Sequence, residues 1–294
     1  RLNLAAVLAP AIHAAREGVG LSAQQALFIE VLEPILTHTP DASGLYAPKG
    51  RLLREGDIFV MEEFAGFLEA LAKTGVIVAA LDFRTQDPYP NSLADIHYAI
   101  RWCKTQAAAW NGLPDRIGAM GTSSGAHQAM LLGMRPTDPR YSALPDPSDA
   151  TEVDATLDCV IMVSPVIDPL GRYLYAKGLR QDCTPPPGMS ERTPPMHEQY
   201  WQTEEAMAEG APARILAGGE KTVLPPTLTL RRSHEDAHPR PDFDEFIEQY
   251  RKAGGQIDVT IFEGEGEGLL SDLSFDVGKQ TLEQMGAFIS QHVG

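Results

Sequence analysis

The stretch Gly121-Thr122-Ser123-Ser124-Gly125 holds the residue types most able to do chemistry. A short apolar run, Ile117–Met120, leads into it, and a helix-favouring run, Ala126–Met134, leaves it. The order is strand, sharp turn, helix. A serine at the tip of such a turn stands clear of the backbone with its hydroxyl exposed, as a nucleophile must. Gly121 and Gly125 carry no Cβ, so strand and helix can approach closely on either side. The N–H of Ser124 then points to where an oxyanion would form, and the positive end of the helix adds to it. Gly-x-Ser-x-Gly by itself recurs by chance in many chains; the flanking strand and helix make it specific.

Holding such a serine takes a sheet, and strand and helix signals alternate along most of the chain. Phe28–Leu32, Val76–Leu81, Ile117–Met120, Leu157–Val163, Thr227–Leu230 and Ile257–Phe262 read as strands. Met61–Lys73, Ser92–Gln106, Phe243–Lys252 and a stretch within Leu273–His292 read as helices. This alternation predicts an α/β fold, a mostly parallel central sheet flanked by helices on both faces. The chain reads as a single domain over residues 1–294. Within it, residues 168–226 break the rhythm with many prolines and a helical piece around Glu198–Ala213. An insertion there lies above the carboxyl ends of the strands, where ligands bind, and is expected to form a cap or lid.

The bulk numbers bound the partners. The 294 residues are 43% hydrophobic and 22% charged, ample for a large core. A net charge of −16 disfavours nucleic acid and anionic membranes as partners. The three cysteines, Cys103, Cys159 and Cys183, have no CxxC spacing; Cys103 and Cys159 read as small core residues, and so sparse a set points to a reducing, cytoplasmic compartment. No apolar run is long enough for a membrane span. Leu2–Ala15 lacks a basic leader and reads as an amphipathic helix.

Several segments together resemble the α/β-hydrolase fold, and within it the esterase and lipase group related to hormone-sensitive lipase and the bacterial acetyl esterases. They are Ala80-Leu81-Asp82-Phe83-Arg84, Pro88–Asp95, Ala99–Trp102, the Gly121–Gly125 elbow, Pro225–Leu228, Ala253-Gly254-Gly255 and Phe262-Glu263-Gly264. The resemblance covers residues 25–293 and implies a serine nucleophile, a histidine base and an acid that orients the histidine. The acid belongs after the strand Thr227–Leu230, where the loop reads Ser233-His234-Glu235-Asp236-Ala237-His238. Spacing to the following helix favours Asp236, with Glu235 as the fallback.

The base belongs after the last strand in a Gly-x-Gly-His-Gly context, and there the chain reads Glu263-Gly264-Glu265-Gly266-Glu267-Gly268. Glu267 stands where the resemblance implies histidine. A carboxylate is a weaker base than imidazole by about two pKa units, although burial or a second carboxylate narrows the gap. His234 and His238 are the histidines near the acid and the alternative bases; His127 reads as a packing residue. The resemblance also implies His-Gly-Gly at the oxyanion hole, and the slot holds Pro48-Lys49-Gly50-Arg51, after a short strand at Gly44–Ala47. Ser124 and Gly50 are therefore the expected oxyanion donors.

No cofactor is implied, and the alternating glutamates Glu263, Glu265 and Glu267 lack a completing ligand set for a metal. The expectation is a serine-dependent carboxylic ester hydrolase acting on a small-molecule ester, with glutamate in the usual histidine position. The alternative is a protein of the same fold that has lost hydrolysis and serves binding or regulation.

Overall fold

The chain divides into two units, Arg1–Val78 with Ala109–Asn111, and Ala79–Ala108 with Gly112–Gly294. The computed structural model describes residues 4–38, 40–62, 65–66, 75–84, 87–147, 153–182, 188–238, 240–265, 269–270 and 276–293.

The first unit contains α1 (Leu4–Glu17), β1 (Val19–Gly20), α2 (Ala23–Val31), α3 (Glu33–Leu36), α4 (Pro40–Tyr46) and β2 (Ile58–Phe59). α1 is the helix expected near the start. The short strands β1 and β2 pair antiparallel. Leu21, Ile29 and Leu53 are buried together, with Tyr46 stacked on Phe59 at 5.4 Å. Two expected strands are helical here. Phe28–Leu32 falls in and just after α2, because Ser22 and Gln25 form a reciprocal capping box that starts a helix and carries the apolar run with it. Gly44–Ala47 falls at the end of α4, whose first residue, Pro40, is pre-set for a helical turn.

The second unit contains α5 (Asn91–Ala107), β3 (Gly118–Thr122), α6 (Ser124–Met134), β4 (Cys159–Val163), α7 (Pro169–Asp182), α8 (Gly188–Trp201), α9 (Glu204–Glu209), α10 (Pro212–Ala217), β5 (Thr227–His234), α11 (Arg240–Lys252), β6 (Ile257–Glu265) and α12 (Asp276–His292). The four strands β3-β4-β5-β6 form one sheet in that order, parallel throughout. β4 is buried along its whole length, and its residues alternate between two clusters. Val160 and Met162 pack with Met130 of α6 and Phe246 and Tyr250 of α11. Cys159, Ile161 and Val163 pack with Met285 and Phe288 of α12. Helices therefore cover both faces, and each such buried apolar side chain contributes about 1.5–3 kcal/mol.

The helices follow from their periodicity. α11 buries Phe243, Phe246, Ile247 and Tyr250, spaced as one helical face. The expected strand Val76–Leu81 is not one. Val78 is 54% and Leu81 41% exposed, so the run lacks the burial on both faces that a continuous apolar strand takes in a covered sheet. Most of the expected helix Met61–Lys73, namely residues 63–64 and 67–73, lies outside the described residues. Between β4 and β5 the described residues of the proline-rich insertion hold four helices, α7 to α10, more regular structure than its composition suggested. Cys103 and Cys159 are buried, and Cys183 lies outside the described residues. No helix among the described residues is long and apolar enough to cross a membrane.

Candidate active site

β3 ends at Thr122 and α6 begins at Ser124, so Ser123 alone makes the turn. Its φ of 54° and ψ of −115° are strained for a residue with a Cβ, a cost of about 1–3 kcal/mol. Surrounding backbone holds it there: Ser123 N–H donates to the Val163 carbonyl at 2.9 Å, and the Ser123 carbonyl accepts from His127 N–H at 3.2 Å and Val166 N–H at 3.3 Å. A Cβ on Gly121 would lie 2.2 Å from the Gly125 carbonyl carbon, so only glycine fits there. A Cβ on Gly125 would meet nothing within 4 Å among the described residues; the close approach expected at both glycines depends on Gly121. A serine at a helix start ordinarily turns its oxygen back onto the first-turn N–H groups. Ser123 makes no such bond, and its hydroxyl points elsewhere.

It points to a histidine. Ser123 Oγ lies 3.1 Å from His238 Nε2. His238 is 2% exposed, and its Nδ1 lies 3.4 Å from Glu235 Oε2. That separation is long for a hydrogen bond, as contacts in unliganded sites often are before substrate tightens them. Glu235 is 7% exposed. Its Oε1 accepts from the Ser164 hydroxyl at 2.8 Å and the Arg232 N–H at 2.7 Å. Burial alone would raise the Glu235 pKa; His238, the Arg232 N–H, the Ser164 hydroxyl and the Arg231 charge outweigh it and hold the carboxyl below its usual value. A carboxylate facing Nδ1 favours the proton on that nitrogen and leaves a lone pair on Nε2 toward the hydroxyl. The arrangement can take a proton from Ser123.

Two other candidates on this loop, Asp236 and His234, are exposed. Asp236 is exposed in the turn, because successive residues leaving an extended strand point to opposite sides and Glu235 takes the inward one. His234 is exposed at the end of β5, its Nδ1 3.0 Å from Ser233 Oγ. Glu267 lies outside the described residues, and the nearby Glu263 and Glu265 are exposed. Ser124, the first residue of α6, is exposed. Gly50, with φ 69°, belongs to the first unit, whereas Ser123 and Ser124 belong to the second. His127 packs as expected: its Nε2 meets the Gly210 carbonyl at 2.7 Å, and burial lowers its pKa to about 4. The supporting roles of Ser164 and Arg231 went unread in the sequence; the available signal was the Glu-x-x-His spacing of Glu235 and His238, on one loop after a strand.

A crevice beside His238 is lined by Ile167, Asp168, Arg172, Asp242 and Phe243. Asp168 caps α7, accepting from Gly171 N–H at 2.9 Å, and pairs with Arg214 at 2.7 Å. Burial and the Asp168 charge raise the Asp242 pKa to about 6. Arg172 Nε donates to the Ala237 carbonyl at 2.6 Å, which ties α7 to the loop carrying His238. A larger cavity of about 330 Å³, among Thr227, Arg251, Ile257 and Phe288, lies at the amino ends of β5 and β6 and holds none of these residues.

Several known proteins are similar to parts of this chain. The sequence profile of the BD-FAE family matches residues 54–171, and that of gamma-glutamyltranspeptidase matches residues 1–83. Two proteins of Mycobacterium tuberculosis are similar over short stretches. Esterase LipC is 33% identical over 93 residues, 31% of this chain and 23% of LipC. The probable carboxylic ester hydrolase LipM is 33% identical over 73 residues, 24% of this chain and 17% of LipM. The chain thus matches less than a quarter of the length of either. Among solved structures, the propionate-bound thermophilic esterase Est2 of the Planctomycetes species Thermogutta terrifontis superposes with a TM-score of 0.54 at 24% identity, covering 78% of this chain and 76% of Est2. The sarin-phosphonylated form of the same esterase gives 0.56 at 21% identity, covering 78% and 77%. The protein has the α/β-hydrolase fold, a parallel sheet flanked by helices with the serine turn after β3.

Proposed function

We propose that this chain is a serine-dependent carboxylic ester hydrolase acting on small esters, with Ser123 as nucleophile, His238 as general base and Glu235 orienting the imidazole. One observation carries the reading: Ser123 Oγ lies 3.1 Å from His238 Nε2, with Glu235 behind the ring. His238 takes the place that the resemblance gave to Glu267. The strained turn at Ser123 and the names of the mycobacterial relatives support the same class of reaction.

On this reading Ser123 attacks the acyl carbon as His238 accepts its proton. The Ser124 N–H, at the positive end of α6, faces the oxyanion. The tetrahedral adduct expels the alcohol, which takes its proton from His238. Water, activated by the same imidazole, then releases the acid and restores Ser123. Residues 168–226 serve as a cap, since Asp168 and Arg172 at their start line the crevice beside His238. The competing reading, a binding protein that has lost hydrolysis, rested on a missing histidine and a missing His-Gly-Gly; the contact between Ser123 and His238 speaks against the first of these grounds.

The test is labelling of the full chain with a fluorophosphonate probe across neutral and mildly alkaline pH, followed by peptide mapping. An adduct on Ser123, absent from Ser123→Ala, is expected. Failure to label at every pH, together with no turnover of short-chain p-nitrophenyl esters, would overturn the reading.

A further inference from the structure

Arg231 is the largest fully buried side chain among the described residues, 1% exposed, and it carries a charge. Burying a cation costs several kcal/mol unless partners surround it. Its partners lie in and around the loop that follows it. Nη2 donates to the His238 carbonyl at 3.1 Å and lies 3.6 Å from Glu235 Oε2. Nε donates to the Arg232 carbonyl at 3.1 Å. The guanidinium carbon stands 4.8 Å from the centre of the Phe243 ring, on α11.

Acid and base here sit on one turn, three residues apart, rather than on two loops held separately by two strands. The sheet therefore fixes where the turn begins but not where its far end, His238, comes to rest. The Arg231 side chain spans that gap, from inside β5 to the backbone of His238.

We propose that Arg231 is a positioning residue for the site: it closes the 231–238 segment onto the His238 carbonyl and keeps a positive charge beside Glu235. The inference rests on the Ser123–His238–Glu235 reading for its effect on rate, but not for its effect on His238 itself. The charged groups about the segment are Glu235 on the loop, Asp168 and Arg172 at the start of α7, and Asp242 on α11. A guanidinium fork suits this double duty, and the single ammonium of lysine does not replace it.

The experiment compares Arg231→Met and Arg231→Lys with the full wild-type chain. Folding is checked by circular dichroism. Misplacing the base by a fraction of an ångström to an ångström predicts a loss of about 100-fold in kcat for Arg231→Met. Removing a buried positive charge makes protonation of the imidazole easier, so the acidic limb of the kcat/KM profile moves up by about one pH unit. Arg231→Lys restores the limb but not the full rate. A folded Arg231→Met with wild-type kcat and pH profile overturns the proposal. If Arg231→Met does not fold, Arg231→Lys decides: wild-type kcat overturns it, and a reduced kcat with an unmoved limb supports it. If the wild type neither labels nor hydrolyses, the esterase reading fails by itself. The His238 ring resonance, assigned through His238→Gln, then reads the proposal directly: titration at higher pH in Arg231→Met supports it, and an unchanged titration overturns it.

Discussion

The loop after β5 and the last residues of β6 lie at the carboxyl ends of neighbouring strands and both carry carboxylates, but they are built differently. After β5, Glu235 and His238 are 7% and 2% exposed, and the hydroxyl of Ser164, the N–H of Arg232 and the guanidinium of Arg231 surround them. At the end of β6, Glu263, Gly264 and Glu265 are exposed although the strand still pairs with β5, and they bond to it through Ser233. A carboxylate loses several kcal/mol on burial without partners, so a buried one must be given them by design of the surrounding chain. On the proposed reading, the partner set of a carboxylate, rather than its place in the family's spacing, marks the loop that holds the chemistry.

The sharpest way to break this contrast is to remove one group from each loop. His238→Gln is expected to abolish ester hydrolysis, a loss of about 10⁶-fold in kcat, as for removal of a base acting as a unit with its serine. Glu267→Gln should leave kcat within about twofold, because on this reading it touches no reacting atom. The reverse ranking, measured with a short-chain p-nitrophenyl ester, would move the site to the second loop.

Within the β5 loop the contrast narrows to adjacent carboxylates. Glu235→Gln should lower kcat by about 10²–10⁴-fold, since the imidazole loses the partner that fixes its tautomer. Asp236→Asn, on an exposed residue, should change it little. Equal losses in the two variants would show that inward and outward positions had been misjudged.

Stability provides two smaller tests. The Glu235 pKa is lowered in the folded state, so its contribution is present above its unfolded value of about 4.3 and is lost as pH falls through the folded value. Ser164→Ala, which removes a buried donor to that carboxylate, should cost about 1–3 kcal/mol near neutral pH and less in acid. A cost that stays constant with pH would mean that the hydroxyl does not act through the charge. Asp242 has the opposite sign: its folded pKa is raised to about 6, so the folded state holds a proton that the unfolded chain has released, and stability falls as pH rises from about 4 toward that value. Asp242→Asn should raise the melting temperature at pH above about 6 and leave it nearly unchanged in strong acid. A gain of equal size in acid would point to a packing effect instead.

Some elements were legible without coordinates and some were not, for identifiable reasons. The helix Ser92–Gln106 and the strands around Ile117, Leu157, Thr227 and Ile257 follow from periodicity and apolar runs, and the structure places them as α5 and β3 to β6. Phe28–Leu32 and Val76–Leu81 have the composition of strands, yet one was captured by a capping box upstream and the other is left largely exposed. In the site, Ser123 was readable because the turn's glycine requirement is written locally, in Gly121. His238 was readable only as one of two alternatives to Glu267, since nothing in Glu235-Asp236-Ala237-His238 says which side chains turn inward.

What the amino-acid order determined by itself is the local machinery: a serine between a strand and a helix, a glycine that lets the two touch, and carboxylates and histidines on one loop. These depend on backbone sterics and on neighbours within a few residues. Which histidine meets the hydroxyl was decided only by tertiary structure, because the contact joins residues 123 and 238, and burial of Glu235 depends on groups from β4's end and from β5 itself. A chain can specify such a meeting only through the sheet register that sets β3, β4 and β5 side by side.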